Sequence, residues 1–115
     1  MTDLKMVDKS SQTKGQPQYH IRVKPGEVGK YVLLPGDPDR VLRIAKYLDN
    51  AHEVAFHREH RTWTGDYKGI RVSATSTGMG CPSAAIAVEE LANVGPTHFI
   101  RVGSTGALQK GMNIG

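Results

Sequence analysis

The stretch Tyr31-Val32-Leu33-Leu34-Pro35-Gly36-Asp37-Pro38-Asp39-Arg40 decides the fold of this 115-residue chain. Its first four residues form a continuous apolar run, which is typical of a short strand buried on both faces. The run stops at Pro35-Gly36, after which Asp37 is suited to cap a helix and Pro38 to occupy its first position. Apolar residues then recur at helical spacing, at Val41, Ile44, Ala45 and Leu48. The stretch therefore predicts a strand, a tight turn and a helix in direct succession.

Further elements are predicted downstream of this helix. In chain order they are strands at 52–56, 62–67 and 70–75, a helix at 82–94 and a buried strand at 98–102. Lys68-Gly69 would join the second and third of these strands as a hairpin, and Gly95-Pro96 would end the second helix. The expected fold is α/β, with a mixed, twisted central sheet flanked by helices.

Composition and charge limit the class of protein. The hydrophobic share of 38% and the charged share of 23% are ordinary for one globular domain, which we place at residues 19–115. Residues 1–18 are polar and without periodicity, so a disordered leader is expected there. The net charge of +4 permits an anionic partner, but the chain lacks the aromatic platforms and clustered basic face of a nucleic-acid-binding domain.

The compartment is inferred from what the sequence lacks. Cys81 is the single cysteine, so an internal disulfide is excluded. No early apolar run resembles a signal peptide or a membrane span, so a cytoplasmic location without a membrane partner is expected.

Three glycine-rich loops follow three predicted strands, and such loops converge beyond the carboxyl ends of the strands in open α/β sheets. In the first loop, Gly36 allows close approach to a ligand, and the helix start offers unpaired N–H groups that suit phosphate. Arg40 lies in the first helical turn, where a cation opposes the helix dipole unless an anion lies between them. An ordinary Asp-Pro cap with a surface arginine explains the same pattern equally well.

Arg101 lies in a predicted strand whose apolar residues are expected to be buried, so its charge requires a partner. The partner is either a distant carboxylate or an anion bound at the adjacent loop, Gly103-Ser104-Thr105-Gly106. Ser104 and Thr105 offer hydroxyl and backbone donors for a polar ligand there, although a plain turn has the same composition.

Two other motifs argue against a cofactor and a transition metal. Gly78-Met79-Gly80-Cys81-Pro82-Ser83 lacks the third glycine of a dinucleotide fingerprint and the Lys-Ser or Lys-Thr pair of a phosphate loop, so no organic cofactor is expected. Cys81 in this motif is expected to be a small buried side chain. In His57-Arg58-Glu59-His60 the intervening arginine disfavours a metal ion. Arg58 suits an anion instead, in the site of a neighbouring subunit.

With these motifs in hand, the chain resembles the nucleoside phosphorylases of the hexameric bacterial type, and within them the uridine branch. The resemblance covers about residues 19–115. It rests on five ordered motifs: Pro35 to Arg40, His57-Arg58-Glu59, Ser76 to Gly80 with Pro82-Ser83, Ile86 to Leu91, and Arg101 to Gly106.

The resemblance implies a three-layer sandwich and the phosphorolysis of a nucleoside, with inorganic phosphate as co-substrate, to free base and ribose 1-phosphate. Arg40 and Arg101 would be the catalytic arginines. The implied phosphate ligands are Gly36, Arg40, Arg101 and Ser104 of one subunit and Arg58 of the adjacent subunit. The implied nucleoside contacts are His20, which would cross the interface to the ribose 5'-hydroxyl, with Met79, Ser104, Thr105 and Gly106.

The resemblance also implies a monovalent cation, K+, held at a dimer interface by Glu59, Ser83 and the carbonyl of Met79. The expected assembly is a homo-oligomer of dimers with shared sites, a hexamer in the complete protein. The family's domain continues beyond Gly115 with its ribose- and base-selecting residues, so the fold is expected to be incomplete in this chain. A purine phosphorylase and a non-catalytic module that binds phosphate or nucleosides stay open as alternatives.

Overall fold

The computed structural model describes residues 15–115. Within this range the elements are, in chain order, β1 (Tyr31–Leu34), α1 (Pro38–Ala45), β2 (Asp49–His57), β3 (His60–Tyr67), β4 (Ile70–Thr75), α2 (Cys81–Asn93) and β5 (His98–Arg101). Every predicted element is therefore present. The largest differences are that β2 begins earlier than predicted and that α1 ends at Ala45, before Leu48.

The strands form one mixed sheet in the order β2-β3-β4-β1-β5. β2, β3 and β4 form an antiparallel meander, whereas β1 pairs in parallel with both β4 and β5. The turn between β3 and β4 has positive φ at both Lys68 and Gly69, as a two-residue hairpin turn of type I′ requires. The predicted mixed sheet and its hairpin are confirmed.

Local capping explains where the two helices begin and end. Asp37 has extended backbone angles and its side chain accepts a hydrogen bond from the Asp39 N–H at 2.9 Å, with Pro38 in the first position. The predicted cap of α1 is therefore confirmed. α2 begins after Gly80, which has φ +91, and Gly95 has φ +123 just beyond its end. These positive φ values favour glycine at both positions.

The alternation of β1 side chains assigns one helix to each face of the sheet. Val32 and Leu34 are buried in one cluster with Leu91 of α2. Tyr31 and Leu33 lie on the other face, beside Ile44 of α1. The result is three layers, helix on sheet on helix.

Two burial predictions are wrong in the described chain. Tyr31 is 43% exposed and Leu33 only half-buried, so β1 is buried on one face rather than two. In β5, Phe99 alone is half-buried and the other residues are exposed. Both differences have the same cause, because β5 is an edge strand and α1 packs mainly on β3 and β4, so within the described residues the face shared by Tyr31, Leu33 and Ile100 is only partly covered.

Most of the predicted leader, residues 1–14, lies outside the described residues. Gln18, at the end of the predicted leader, is buried, and its backbone pairs with Val23 and Arg22 at 3.0 Å each. Ile21 and Val23 then enter the core, fully buried. The packed part of the described chain therefore begins at Gln18, one residue before the predicted boundary.

None of the helices found between residues 15 and 115 is long and apolar enough to cross a membrane.

Buried hydroxyl pairs tie β3 to β4. Thr62 and Thr75 face each other in register, are both fully buried, and their Oγ1 atoms lie 2.9 Å apart. Thr64 and Ser73 form a second pair at 2.8 Å. Thr64 also donates to the Glu27 carbonyl and Ser73 also accepts from the Gly29 N–H, whereas the Thr62 and Thr75 hydroxyls have only each other within the described residues. Since a buried hydroxyl is costly without a partner, the Thr62–Thr75 pair requires both of its members.

The Thr62–Thr75 pair gives a testable prediction about stability. Thr62→Val leaves the Thr75 hydroxyl unpaired and should lower the free energy of unfolding by about 1–3 kcal/mol. The double variant Thr62→Val/Thr75→Val should recover most of that loss, as measured by urea unfolding followed through the fluorescence of Trp63. A double variant that loses the full sum of the two single effects would contradict the pairing.

Candidate functional site

A cleft of about 630 Å³ lies where the loops after β1, β4 and β5 meet. The first loop and the start of α1 contribute Gly36 and Arg40, and the loop after β4 contributes 78–80. Arg101 and Ser104 line the cleft from the end of β5 and the loop that follows. The prediction that the three glycine-rich loops converge is therefore confirmed.

Backbone hydrogen bonds hold the three loops to one another. The Thr77 N–H donates to the Pro35 carbonyl and the Gly78 N–H to the Gly36 carbonyl, each at 2.9 Å. The Val102 N–H donates to the Leu34 carbonyl at 3.1 Å. The loops that form the walls of the cleft are thus held together by hydrogen bonds that continue the parallel pairing of the strands.

Arg101 is held over the loop after β1 by backbone carbonyls. Its Nη1 donates to the carbonyl of Leu34 at 2.9 Å and to that of Val102 at 2.8 Å. The guanidinium lies so close to Gly36 that a Cβ on this glycine would be 3.3 Å from Nη2. Gly103 is similarly constrained, since its Cβ would be 3.0 Å from Nη1. The two glycines make room for the arginine.

The predicted burial of Arg101 is wrong, because the residue is exposed at the end of an edge strand. Of the two partners considered for it, a distant carboxylate is not found: among residues 15–115, the ion pairs join His20 to Glu90, His60 to Glu59 and Arg61 to Glu53. Neither Arg101 nor Arg40 pairs with a carboxylate in this part of the chain. Both cations therefore line the cleft without an ion pair to an acidic side chain of the described residues.

The start of α1 offers fewer free amides than the sequence suggested. The Asp39 N–H is bonded to the Asp37 side chain, and the Arg40 N–H donates to the Asp37 carbonyl at 3.1 Å. Pro38 has no N–H. The prediction of unpaired N–H groups there is wrong for these positions, so the positive charge of the cleft comes mainly from the two guanidinium groups.

Glu59, from the turn between β2 and β3, also lines the cleft. Ser83 Oγ lies 2.6 Å from Glu59 Oε1 and also contacts the carbonyl oxygen of Thr77. The hydrogen bond from Ser83 is the main reason why the pKa of Glu59 is lowered from its usual value, so this carboxylate is ionised at neutral pH. A carboxylate, a hydroxyl and a carbonyl at one point form an all-oxygen donor set, which suits an alkali cation.

Gly78 keeps this oxygen cluster compact. A Cβ at Gly78 would lie 2.5 Å from Glu59 Cγ and 3.1 Å from Ser83 Oγ, and its φ is +70. The structure thus brings together Glu59 and Ser83, two of the three residues predicted to hold a cation, and adds the carbonyl of Thr77 beside Ser83. Within the described residues no group of three or more His, Cys, Asp or Glu side chains could hold a metal ion.

His20 and Arg58 do not line the cleft formed by their own chain. Arg58 is exposed at the turn between β2 and β3, with φ +53. His57, its neighbour, donates from Nδ1 to the His20 carbonyl at 2.7 Å. The two residues expected to reach an adjacent subunit are therefore linked on one surface of this chain, outside its own cleft.

The nucleoside contacts expected from the same subunit divide between two neighbouring cavities. Met79 lines the cleft, and its side chain is 97% exposed. Thr105 and Gly106 line an adjacent cavity of about 620 Å³ formed by the chain after β5. Ser104 lines both cavities, so it lies at their junction.

Sequence reasoning missed three contacts of the site and its surroundings. Glu59 was expected only as a cation ligand, yet it also lines the cleft. No role was predicted for His57 or Glu90, although each forms a hydrogen bond with His20. No local pattern could have revealed the Glu90 contact, because the two residues are 70 positions apart. Cys81, expected to be buried, is exposed.

Comparison with known proteins finds a matching family and similar proteins. The model of the phosphorylase superfamily matches residues 30–115. A uridine phosphorylase of Thermococcus kodakarensis is 62% identical over 104 residues, which are 90% of this chain and 38% of that protein. A guanosine phosphorylase of Halorubrum lacusprofundi is 48% identical over 85% of this chain and 41% of that protein.

Solved structures show the same fold. A uridine phosphorylase of Vibrio fischeri superposes with a TM-score of 0.84 at 46% identity, over 88% of this chain and 42% of that one. A purine nucleoside phosphorylase of Toxoplasma gondii, solved with immucillin-H, gives 0.75 at 36% identity, over 77% and 36% of the two chains. The chain thus spans about two fifths of the length of these relatives. On the family match and these likenesses together, the chain belongs to the phosphorylase superfamily.

Proposed function

We propose that the full-length protein catalyses the reversible phosphorolysis of a nucleoside, with uridine the favoured substrate. The single observation that carries this proposal is the cleft in which Arg40 and Arg101 converge without a carboxylate partner among the described residues. Two guanidinium groups with a serine and a glycine loop form a site for a compact, multiply charged oxyanion. Inorganic phosphate has that chemistry, and no organic cofactor is required.

In the proposed reaction a phosphate oxygen forms a bond to the anomeric carbon of the ribose while the bond from that carbon to the base breaks. The electron pair of the broken bond leaves with the base, which takes up one proton in balance with the proton that the attacking hydrogen phosphate gives up, and ribose 1-phosphate is the second product. By analogy with glycoside hydrolysis, the transition state resembles an oxocarbenium ion, which the phosphate dianion stabilises. Arg40 and Arg101 contribute by holding this nucleophile in position.

Gly36 and Ser104 complete the proposed phosphate site from the same chain. Gly36 supplies backbone at the surface over which Arg101 lies, and Ser104 offers a hydroxyl where the two cavities meet. Met79, Thr105 and Gly106 are proposed to contact the nucleoside, because they extend from this junction along both cavities.

The active site is proposed to be shared between subunits. Arg58 is exposed at a turn and does not line its own cleft, so it is suited to reach the phosphate of an adjacent subunit. His20, linked to Arg58 through His57, would reach the ribose 5'-hydroxyl in the same neighbouring site. The proposed assembly is accordingly a homo-oligomer built from dimers, and the complete protein would form a hexamer.

A monovalent cation, K+, is proposed at the cluster of Glu59 and Ser83, with the Met79 carbonyl as a further ligand at the dimer interface. The ionised carboxylate and the adjacent hydroxyl fit such an ion, and a bound cation would balance the negative charge of Glu59 beside the phosphate.

Purine nucleosides are the second candidate substrates. A guanosine phosphorylase at 48% identity and a purine nucleoside phosphorylase with a TM-score of 0.75 favour testing them beside uridine. We also propose that residues 19–115 form the N-terminal part of the family's domain, behind a polar leader, and that the protein works in the cytoplasm.

Removal of Arg101 tests the proposed phosphate site. Arg101→Ala in the full-length protein should reduce phosphate-dependent release of uracil from uridine by about 100-fold or more, because a charged donor to the nucleophile is lost. Arg71→Ala is the matched control, since Arg71 is exposed at the opposite end of β4 and donates to the Gly26 carbonyl. Near-normal turnover by Arg101→Ala, or base release that ignores phosphate, would refute the assignment.

Subunit sharing can be tested by complementation. Arg58→Ala and Arg101→Ala should each be inactive alone, whereas mixed dimers contain one intact site, so co-expression should restore up to about one quarter of wild-type activity. Mixing two preparations of Arg101→Ala provides the control. Absence of recovery in purified mixed dimers would show that Arg58 acts within its own subunit or not at all.

The proposed cation gives a prediction about stability. Replacing K+ by tetramethylammonium at constant ionic strength should lower the midpoint of thermal unfolding of the full-length protein, since a bound ion stabilises the folded state. Glu59→Gln should remove this response. Glu53→Gln, which alters a carboxylate of the same hairpin paired with Arg61 at 3.2 Å, should keep it. An unchanged response in Glu59→Gln would exclude Glu59 as a ligand.

A further inference from the structure

We propose that Glu90 is a positioning residue that fixes the ring orientation and the tautomer of His20, so that Nε2 faces the substrate as a hydrogen-bond acceptor. The inference rests on the proposed function, in which His20 reaches the ribose 5'-hydroxyl of an adjacent subunit. Through His20, Glu90 would contribute to a preference of the enzyme for nucleosides that carry a free 5'-hydroxyl.

Glu90 accepts hydrogen bonds from three donors in the chain segment that precedes β1. Its carboxylate accepts hydrogen bonds from the backbone N–H of His20 at 3.0 Å and from that of Ile21 at 2.9 Å. Oε1 also lies 2.7 Å from Nδ1 of the His20 ring. One side chain of α2 therefore holds both the backbone and the imidazole of a residue 70 positions away.

The chemistry of the carboxylate determines which ring nitrogen carries the proton. An ionised carboxylate only accepts hydrogen bonds, so Nδ1 of His20 must be the donor in the 2.7 Å contact. In the neutral ring Nε2 is then left as the acceptor. Within the described residues no hydrogen bond to Nε2 is formed, and the side chain is 30% exposed, whereas that of Glu90 is 13% exposed.

Further contacts restrict the position of His20. His57 donates from Nδ1 to the His20 carbonyl at 2.7 Å, so both ends of the residue's backbone are bonded. The ring of Tyr19 lies edge-on to the imidazole with centroids 4.8 Å apart. Ile21, the next residue, is fully buried and anchors the segment in the core. The imidazole ring therefore lies at the surface on a backbone whose position is fixed by these contacts.

A fixed acceptor at this place suits a hydroxyl donor on the substrate. The 5'-hydroxyl of a nucleoside can donate to Nε2, whereas a 5'-deoxynucleoside leaves that nitrogen without a partner. Loss of one such hydrogen bond corresponds to a discrimination on the order of tenfold. Glu90 would contribute to it without touching the substrate.

The tautomer is tested in the absence of substrate by ¹⁵N NMR of the ring nitrogens of His20 in the full-length protein. The wild type should carry its proton on Nδ1. In Glu90→Gln, the amide oxygen can replace the carboxylate toward the backbone N–H groups while the amide NH₂ donates to Nδ1, so the proton should move to Nε2. A wild-type ring protonated on Nε2, or an unchanged spectrum in Glu90→Gln, would overturn the inference.

The kinetic test compares uridine with 5'-deoxyuridine in the full-length enzyme. Glu90→Ala should lose the discrimination to the same extent as His20→Ala, mainly through KM for the nucleoside, with KM for phosphate little changed. Glu90→Gln should retain much of it, because the ring stays oriented and a hydroxyl can accept as well as donate. Glu53→Gln, which alters a carboxylate paired with Arg61 and not with His20, is the matched control and should behave as the wild type.

Discrimination that survives in Glu90→Ala but not in His20→Ala would overturn the positioning role. If Glu90→Ala does not fold, the spectrum of Glu90→Gln still decides the matter. A wild-type protein that does not cleave nucleosides with phosphate would contradict the proposed function, and the ring spectrum would then decide separately whether Glu90 sets the tautomer.

Discussion

The parallel pairing of β1 with both β4 and β5 is the constraint on which the rest of the structure depends. Leu33 pairs with Ala74 on one side, and Leu34 pairs with Arg101 on the other, so three strands end at the same edge of the sheet. The loops that leave these ends are joined by backbone hydrogen bonds that continue the pairing. A change of register in the β1–β5 pair would move Arg101 away from the glycine loop and from Arg40, because the position of Arg101 is set by the strand pairing and not by a contact between the two arginines.

Charge is distributed unevenly around this edge. Arg101 is oriented by the carbonyls of Leu34 and Val102 rather than by a carboxylate, which leaves its positive charge available to a ligand. Glu59 faces the same cleft, but its carboxylate is bonded to Ser83 and close to His60, at 3.5 Å. The acidic side chain is thereby held by its own partners beside the cationic wall.

The sequence predicted the elements of the fold well because each one is determined by neighbouring residues. Asp37 and Pro38 define the start of α1, and Lys68-Gly69 defines the hairpin turn, by local backbone preferences. Convergence of the loops followed from topology, since the glycines lie after strands that end at one edge.

Properties that depend on distant parts of the chain were not predictable in the same way. The burial of Arg101 was inferred from its apolar neighbours, but strand order places β5 at an edge, where Ile100 and Val102 are exposed. The amides at the start of α1 were expected to be free, whereas Asp37 uses two of them. The contact of Glu90 with His20 joins residues 70 positions apart, so no local pattern encodes it.

The cleft between the three strand ends is proposed to bind phosphate with arginines from two subunits. A crystal structure of the full-length protein grown with phosphate would show whether it does. We expect an anion within hydrogen-bond distance of Arg40, Arg101 and Ser104 of one subunit and of Arg58 from its neighbour. An anion bound elsewhere, or one held in this cleft without either Arg40 or Arg101, would contradict it.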